Sequence, residues 1–249
     1  MTSIEQVFDT GDMARAALAA ELVEQIRPVT LARERRLPVV PALADLIPGG
    51  GLRCGSTLAT DGPAATSLAL AAVAAASQDG AWVAAVGFPS LGLLAAAEAG
   101  IALERFVLVA SPETEAGPDN EETAWAATIA ALVDAFEVVL VQATHRVRNR
   151  DGRRLAARTR ERGSVLVQVG SGGWSERADV TLEVTDSRWE GLADGHGHLR
   201  ARRVTVVGGG RREASRPRRS ELWLPSVDGL VEVVTPDPVP LRADDAVSA

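Results

Sequence analysis

The 249-residue sequence contains no lysine, so all 26 of its cationic side chains are arginines. This excludes a nucleotide-binding loop that neutralises terminal phosphates with a lysine ammonium. The only cysteine, Cys54, excludes an internal disulfide framework. No charge-free apolar run of about 18 residues and no signal peptide is present, so no membrane segment is predicted. We therefore expect a soluble, cytoplasmic protein.

Length and composition favour one α/β domain with additional segments, because 249 residues at 46% hydrophobic content can bury a full central sheet. The formal net charge of −7 argues against a generally basic nucleic-acid binder, although the arginines are unevenly distributed. Four segments are predicted. They are an N-terminal helix and extended connector (1–45), a core (46–207), an Arg-rich loop and terminal strand (208–235), and a tail (236–249) predicted to be disordered.

Strand and helix patterns alternate through the core, which predicts a mostly parallel sheet flanked by helices. The predicted strands are 57–60, 81–86, 106–110, 138–142 and 165–169, and the predicted helices are 66–77, 90–99, 121–135 and 153–162. After these come shorter strand patterns joined by Gly-rich turns, at 178–186, 199–207 and 220–234. This change of rhythm predicts an antiparallel extension at the C-terminal end of the sheet.

The segment between the first core strand and its helix has the form of a degenerate phosphate-binding loop. Such a loop reads G-x-x-x-x-G-K-[ST], because backbone N–H groups cradle the phosphates and the lysine neutralises them. Read without gaps, Ser67 replaces the second glycine and Leu68 replaces the lysine. In the other register the hydroxyls of Thr66 and Ser67 are kept, but the loop after Gly62 and Pro63 is three residues too short. Neither register predicts a working phosphate site, so no cofactor is expected.

Residues 46–207 resemble the RecA fold in the order of their elements and in local sequence. The stretches Leu46–Gly55 and Val107–Pro112 are similar to the approach to the first strand and to the third strand of that family. The resemblance implies a catalytic glutamate where this chain has Phe88, and a metal-binding aspartate where it has Gln142. Glutamine offers magnesium no anionic oxygen. We therefore expect no enzyme activity and no metal.

Within RecA-like proteins the chain resembles the ImuA family, the ImuA-prime subunits of the actinobacterial mutasome. The similarity rests on length, the degenerate loop, the Arg-rich late segment and the ending Glu221–Pro225. It implies an accessory role in the SOS response, in damage-induced, mutagenic translesion DNA synthesis. The implied partners are ImuB, an inactive Y-family polymerase homologue, an error-prone C-family DNA polymerase, bound directly or through ImuB, and indirectly the sliding clamp.

Other functions stay open on the sequence alone. A SulA-like inhibitor of cell division is also a RecA-like chain without ATPase residues, although such chains are much shorter. A DNA-binding recombination accessory is a further alternative, whereas an ATP-dependent recombination enzyme conflicts with the missing lysine. ATP-independent binding to ImuB would distinguish the first reading from the others.

The predicted partner surface is the outer edge of the sheet, which the RecA resemblance assigns to the strand Phe106–Ala110. An unpaired edge is a template for strand addition, so ImuB is expected to supply a helix and strand there. The alternative is that helices or loops shield this edge. The candidate residues are Phe106, Val107, Leu108, Val109 and Ala110.

Arginines concentrate in two late segments. Eight of them lie between Arg146 and Arg162, and they are read either as a solvated helix face or as a DNA-contacting stripe. The possible DNA contacts are Arg150, Arg153, Arg154, Arg158 and Arg160. The second cluster, at 211–219, is predicted to be a mobile loop.

Tryptophans and histidines add weaker indications. Trp174 and Trp189 are read as loop anchors or as platforms for base stacking. A zinc site built on the three histidines is not expected, because structural zinc needs four well-spaced ligands.

Overall fold

The computed structural model describes residues 35–111, 118–143, 145–170, 173–174, 177–193 and 196–235. It begins with a small antiparallel pair, β1 (Arg36–Pro38) and β2 (Gly51–Arg53). The other strands form one large sheet. In chain order they are β3 (Ser56–Asp61), β4 (Val83–Val86), β5 (Phe106–Val109), β6 (Val138–Gln142), β7 (Val165–Val169), β8 (Val180–Ala193), β9 (His196–Gly210), β10 (Arg218–Trp223) and β11 (Glu232–Val233). The α-helices are α1 (Pro41–Ala44), α2 (Ala65–Gln78), α3 (Leu93–Glu98), α4 (Pro118–Ala135) and α5 (Asn149–Arg162), and short 3₁₀ turns span Pro48–Gly50, Leu103–Arg105 and Arg212–Ala214.

The large sheet has the order β11-β10-β9-β8-β3-β7-β6-β4-β5 among the described residues. Pairing is parallel from β5 through to β8 and antiparallel from β8 to β11. This is the predicted mostly parallel sheet with an antiparallel C-terminal extension. The strand order requires crossover connections, and the helices supply them on the two faces of the sheet.

Each face of the parallel region is covered by different helices. On one face α2 is almost wholly buried, because its Ala-rich surface with Leu68 and Val73 packs against strand residues such as Leu58 and Val83. On the other face, α4 and α5 bury Trp125, Ile129 and Leu155 against β6 and β7. Small alanine side chains let α2 approach the sheet closely, and apolar burial there is worth about 25 cal/mol per Å².

The antiparallel region is a long hairpin of β8 and β9 flanked by β10. A β-bulge at Thr185 interrupts the pairing of β8 with β9, and the register shifts again near Gly191, where β9 has more residues than β8 between the paired positions. Leu182, Val184, Val204 and Val206 are buried in the α2-side core, whereas most residues from Thr185 to Arg200 are exposed. The hairpin therefore extends beyond the helical layers, since bulges increase local twist and bend the strands.

The structure corrects three sequence predictions. The connector contains strand β1 and the short helix α1, because Pro41 at the start of that helix has no N–H to lose. The boundary drawn at 207/208 falls inside β9, which continues through Gly210. The terminal strand predicted at 220–234 is two strands, β10 and β11, separated by a turn. The predicted N-terminal helix and the tail 236–249 lie outside the described residues.

Candidate functional site

The loop between β3 and α2, where a phosphate cradle is expected in this fold, has only three residues, Gly62, Pro63 and Ala64. Both Gly62 (φ +85°) and Ala64 (φ +90°) adopt left-handed backbone conformations. A Cβ atom at Gly62 would lie 2.2 Å from the carbonyl oxygen of Val184, so the loop is packed directly against β8. Only glycine fits there without displacing backbone.

The first turn of α2 holds the other residues that the sequence analysis aligned with a phosphate-binding loop. Leu68, at the lysine position of the ungapped register, is fully buried in the core beneath α2. Thr66 is half-buried and precedes Ser67, whose Oγ accepts a hydrogen bond from Arg202 Nη2 at 2.9 Å. The helix has no side-chain N-cap and no acidic residue in its first turn.

Arg202 comes from β9, and sequence reasoning missed it. Its Nε donates to the carbonyl oxygen of Leu224 at 2.7 Å, and its guanidinium lies 4.9 Å from the ring centroid of Trp189. Burial lowers its pKa from the ordinary arginine value, and it has no acidic partner within the described residues. Its place beside α2 depends on strand pairing that no local sequence pattern reveals.

The two residues that replace the expected acids occupy different environments. Phe88 follows β4 and packs, partly buried, against the α2-side core. Gln142 ends β6, half-buried, opposite Val169 of β7. A Cβ atom at Gly87 would lie 2.1 Å from the carbonyl oxygen of Gln142, so the ends of β4 and β6 are in close contact. The structure brings Gly87 and Gln142 together at this edge.

The strand predicted to be the sheet edge is the edge among the described residues. β5 pairs with β4 on one side and with no described strand on the other. It ends at Val109, one residue before the predicted end at Ala110. Leu108 on β5 is 40% exposed, and Leu94 on α3 is 73% exposed. Leu93, on the same helix, and Leu103, in the turn before β5, are also exposed.

Two arginines of α5 form ion pairs with Asp134 of α4. Arg158 Nε donates to Asp134 at 2.7 Å, a second nitrogen of Arg158 binds the same carboxylate, and Arg162 Nε donates to it at 3.0 Å. The hydrogen bond from Arg158 lowers the pKa of Asp134 to about 2, with further contributions from both positive charges. Of the possible DNA contacts, Arg153, Arg154 and Arg160 are exposed, and Arg150 lies 3.6 Å from Asp151.

The second arginine cluster was predicted to be a mobile loop, and this is wrong for its later members. Arg218 and Arg219 belong to β10. Arg218 Nη1 donates to the carbonyl oxygen of Asp45 at 2.9 Å, and the Arg211 N–H donates to the Asp179 carbonyl at 2.9 Å. The strand pairing of β10 with β9 holds this segment, and pairing partners cannot be read from the arginines alone.

Tryptophans and histidines are distributed over two regions. Trp125 contacts His145 edge-on at 4.8 Å between ring centroids and Trp174 at 5.7 Å, so Trp174 is anchored in a small aromatic cluster. His196 and His198 lie at the exposed start of β9. In the ranges that the structure covers, no three His, Cys, Asp or Glu side chains converge as metal ligands. No helix of the described chain is both long and apolar enough to cross a membrane.

The architecture is similar to that of a solved recombinase. The crystal structure of the RadB recombinase matches 78% of this chain and 97% of its own chain with a TM-score of 0.53, at 16% sequence identity. A sequence identity of 16% supports similarity of fold and nothing further. The likeness confirms the predicted RecA-like α/β fold.

Sequence comparison defines the relationship more narrowly. The uncharacterized protein Rv3395c of Mycobacterium tuberculosis (strain ATCC 25618 / H37Rv) is 32% identical over 178 residues, covering 70% of this chain and 74% of the relative. The family model described as the MT3502 N-terminal domain matches residues 45–176, just over half of the chain. The match covers the β3–α2 loop and β5, and the chain belongs to the MT3502 N-terminal domain family.

Proposed function

We propose that this protein is a noncatalytic RecA-like accessory that binds ImuB and thereby helps to assemble the machinery of error-prone translesion DNA synthesis. The RecA-like fold and the family match are consistent with an ImuA-type protein. ImuB itself, the C-family polymerase and the sliding clamp enter through the resemblance of the sequence to the ImuA family. In this role the protein works in the cytoplasm, on damaged DNA during the SOS response.

Loss of catalysis is supported by the local structure of the β3–α2 loop. Phosphoryl transfer needs a backbone cradle, a cation for the terminal phosphates and a metal held by a carboxylate. Here the loop has three residues, Leu68 is buried in the core, and no lysine exists anywhere in the chain. Phe88 and Gln142 supply neither a base for water nor an anionic metal ligand. The short loop, the missing lysine and the missing acids would each impair a different requirement of phosphoryl transfer.

The observation that carries the partner proposal is the open edge of β5. Its outer side faces no described strand, and Leu108 on the same strand is 40% exposed. A segment that adds a strand there gains main-chain hydrogen bonds, and pockets for alternate side chains give it specificity. The unpaired N–H and C=O groups of an edge strand favour pairing with another chain. We therefore assign ImuB's helix and strand to this edge.

Co-purification with ImuB, in the absence of nucleotide and DNA, tests the partner assignment. The wild-type chain should hold ImuB, and ImuB lacking its C-terminal region should not bind. Leu108→Asp should weaken binding by at least about tenfold, because it buries a charge in the new strand pair. Leu199→Asp is the matched control, since Leu199 is similarly exposed but lies on β9. Equal affinity of both variants for ImuB would refute the edge as the binding surface.

ATP turnover tests the noncatalytic part separately. The purified chain should release no more phosphate than a protein-free control, with or without single-stranded DNA. Stimulated hydrolysis that co-purifies with the protein would establish an ATP-dependent recombination enzyme. This readout is independent of ImuB, so the two halves of the proposal fail separately.

A further inference from the structure

The hairpin of β8 and β9 has an outer edge that no described strand covers. β8 pairs with β3 only from Val180 to Glu183, and the loop residue Gly62 packs on the carbonyl oxygen of Val184. Beyond this point, the side of β8 that faces away from β9 has no described strand beside it. A two-stranded ribbon is only marginally stable in water, and the unpaired N–H and C=O groups of a strand favour pairing with another chain. The projecting part of β8 is therefore a second place where a strand can be added.

One aromatic side chain on this part of β8 is only partly covered. Trp189 is 39% exposed, although the Arg202 guanidinium lies 4.9 Å from its ring centroid. Arg202 is fixed by its hydrogen bonds to Leu224 and Ser67, so it holds one side of the ring in place. Tryptophan is enriched where a protein surface meets a partner, and it is a frequent hot spot of binding. Trp189 therefore marks the centre of a contact surface.

The residues on either side of Trp189 carry opposite charges. Arg188 and Glu190 are exposed and point to the face of the ribbon opposite to Trp189, because side chains alternate along a strand. Arg188 is the register partner of Arg203, and like charges placed directly opposite each other repel. Glu221 binds Arg203, and Glu190 attracts it more weakly, whereas Arg188 has no ion pair with any described residue. Arg188 therefore lacks an acidic neighbour on its open side.

The order Arg188-Trp189-Glu190 is complementary to itself when one copy is read in the opposite direction. In an antiparallel pair centred on Trp189, each Arg188 lies directly opposite the Glu190 of the other copy, and the two Trp189 side chains lie opposite each other. The small residues Ser187 and Gly191 then face each other at both ends of the match. A two-fold axis produces this arrangement, because both copies use the same patch.

The charge of the hairpin argues against nucleic acid as its partner. Residues 186–203 contain four arginines and three acidic residues, so they do not form the continuous positive strip that phosphates require. A strand that carries one acid and one base, two residues apart, complements Arg188 and Glu190 better. The chain itself supplies such a strand.

We propose that two copies of this chain form a two-fold symmetric dimer by pairing the β8 strands of their hairpins around Trp189. The two hairpins then form one antiparallel sheet in the order β9-β8-β8-β9. Four strands separate β8 from β5, so the dimer leaves both β5 edges available. A closed two-fold pair differs from head-to-tail assembly, which continues into rings or filaments. This inference goes beyond the scaffold role and does not depend on ImuB.

Analytical ultracentrifugation of the full chain, without ImuB or nucleic acid, tests the dimer. The mass in solution should rise from that of a monomer to that of a dimer as the protein concentration increases, and it should stop there because a two-fold interface is closed. High salt should weaken the association, since the ion pairs are near the surface. A monomer at every concentration, or a mass that keeps growing beyond the dimer, would overturn the proposal.

Charge reversal tests the strand and its register. Arg188→Glu places two acids opposite each other at both contacts, and Glu190→Arg does the same with two arginines. Each variant alone should therefore dimerise at least about fivefold more weakly than wild type. An equimolar mixture of the two variants should recover most of the wild-type affinity, because every glutamate then lies opposite an arginine. Arg200→Glu, the same charge change at an exposed position on β9, should leave the dimer unchanged.

The mixture is the decisive measurement. If both single variants are monomers and the mixture also stays monomeric, the proposed pairing is wrong. The positions are exposed, so the substitutions should leave the fold intact, and circular dichroism verifies this. Loss of single-stranded DNA binding in Arg188→Glu, with the dimer unchanged, would assign the hairpin to nucleic acid and refute the proposal.

A cysteine at the centre of the pair gives an independent test. Directly opposite residues of antiparallel strands have Cα atoms about 4.5–5.5 Å apart, which suits a disulfide. Oxidation should therefore link Trp189→Cys chains into dimers faster than Leu199→Cys chains, which carry the new thiol at an exposed position on β9. The native Cys54 is buried and serves as the common background of both variants. Equal rates of cross-linking would contradict a pair centred on Trp189.

Discussion

Strands β4 and β7 are buried along their whole lengths, whereas β8 and β9 are buried over only part of theirs. The parallel region between β3 and β5 has helices on both faces, and its strands β4, β6 and β7 are almost entirely apolar. The antiparallel region is covered chiefly on one face, and its other face and its projecting hairpin carry polar side chains. Apolar packing under α2 joins the two regions, and specific polar contacts add to this connection.

The largest expected effect comes from truncating one core leucine in each region. Leu140 in β6 and Leu182 in β8 are both essentially fully buried. Each change to alanine should lower the free energy of unfolding by about 2–5 kcal/mol, because it removes buried surface and leaves a cavity. Urea unfolding, followed by circular dichroism and tryptophan fluorescence, measures both variants.

We expect one coincident transition for each variant, because α2 packs against both Val83 and Leu182 and so links the two regions. Val227→Ala, at a side chain that is 73% exposed, is the control and should stay close to wild type. A separate early transition in Leu182→Ala alone would show that the antiparallel region unfolds by itself.

A smaller loss is expected when the polar connection between the regions is cut. One carboxylate oxygen of Asp179, just before β8, accepts hydrogen bonds from the Thr57 N–H at 3.1 Å and from Thr57 Oγ1 at 3.2 Å. Asp179→Ala should cost about 1.5–3 kcal/mol, the range for hydrogen bonds to a charged group. Asp186→Ala, at an exposed position on β8, is the control. Equal unfolding midpoints for the two variants would exclude Asp179 as a structural connection.

The contact between Arg202 and α2 should contribute less. Ser67→Ala removes one hydrogen bond to Arg202, and we expect a loss of about 0.5–1.5 kcal/mol. Arg202→Gln also removes the bond to Leu224 and the stacking on Trp189, so its loss should be greater. A double-mutant cycle measures the coupling between Ser67 and Arg202. A coupling energy of zero would contradict the contact, and Arg200→Gln serves as the exposed control on β9.

The smallest effect concerns the exposed ion pairs between α4 and α5, and it depends on pH. The pKa of Asp134 is lowered from 3.8 to about 2, chiefly by its hydrogen bond with Arg158. A carboxyl group whose folded pKa is depressed stabilises the protein above its unfolded pKa and loses that contribution as the pH falls through its folded pKa. Asp134→Asn should therefore be slightly less stable than wild type at neutral pH, and the difference should fade between pH 4 and pH 2.

Urea midpoints measured across this pH range test the expectation. Because the pair is exposed, the difference should also shrink in high salt. A difference that persists unchanged at pH 2 would show that the asparagine disturbs packing and that charge is not responsible.

The two regions also differ in how far the sequence predicts them. The bounds predicted for β6 and β7, 138–142 and 165–169, are those of the structure. Their apolar, β-branched residues are buried on both faces, so a simple run locates them. The strand predicted at 178–186 instead extends to Ala193. Its distal part is polar, and its register with β9 shifts near Gly191, so the local sequence pattern underestimates the length of this strand.

The residues of the candidate site also differ in how far the sequence predicts them. The residues of the β3–α2 loop can be compared with a phosphate-binding motif from the sequence alone, because the motif is a single short stretch with defined spacing. The contacts of Arg202 with Ser67 and Leu224 are not visible in the sequence, because β9 reaches them only through its pairing with β8 and β10. Residues that become neighbours only through strand pairing can be identified only once the folded sheet is known.

The packing of Gly62 against β8 also limits how the β3–α2 loop can be engineered. Replacing Leu68 by lysine would place an ammonium in the core, since that side chain points away from solvent. Lengthening the loop to give it room would require Val184 and the strand behind it to move, because their backbones already touch. A phosphate-binding loop could not be introduced here one residue at a time, because the loop and the neighbouring strand would have to be redesigned together.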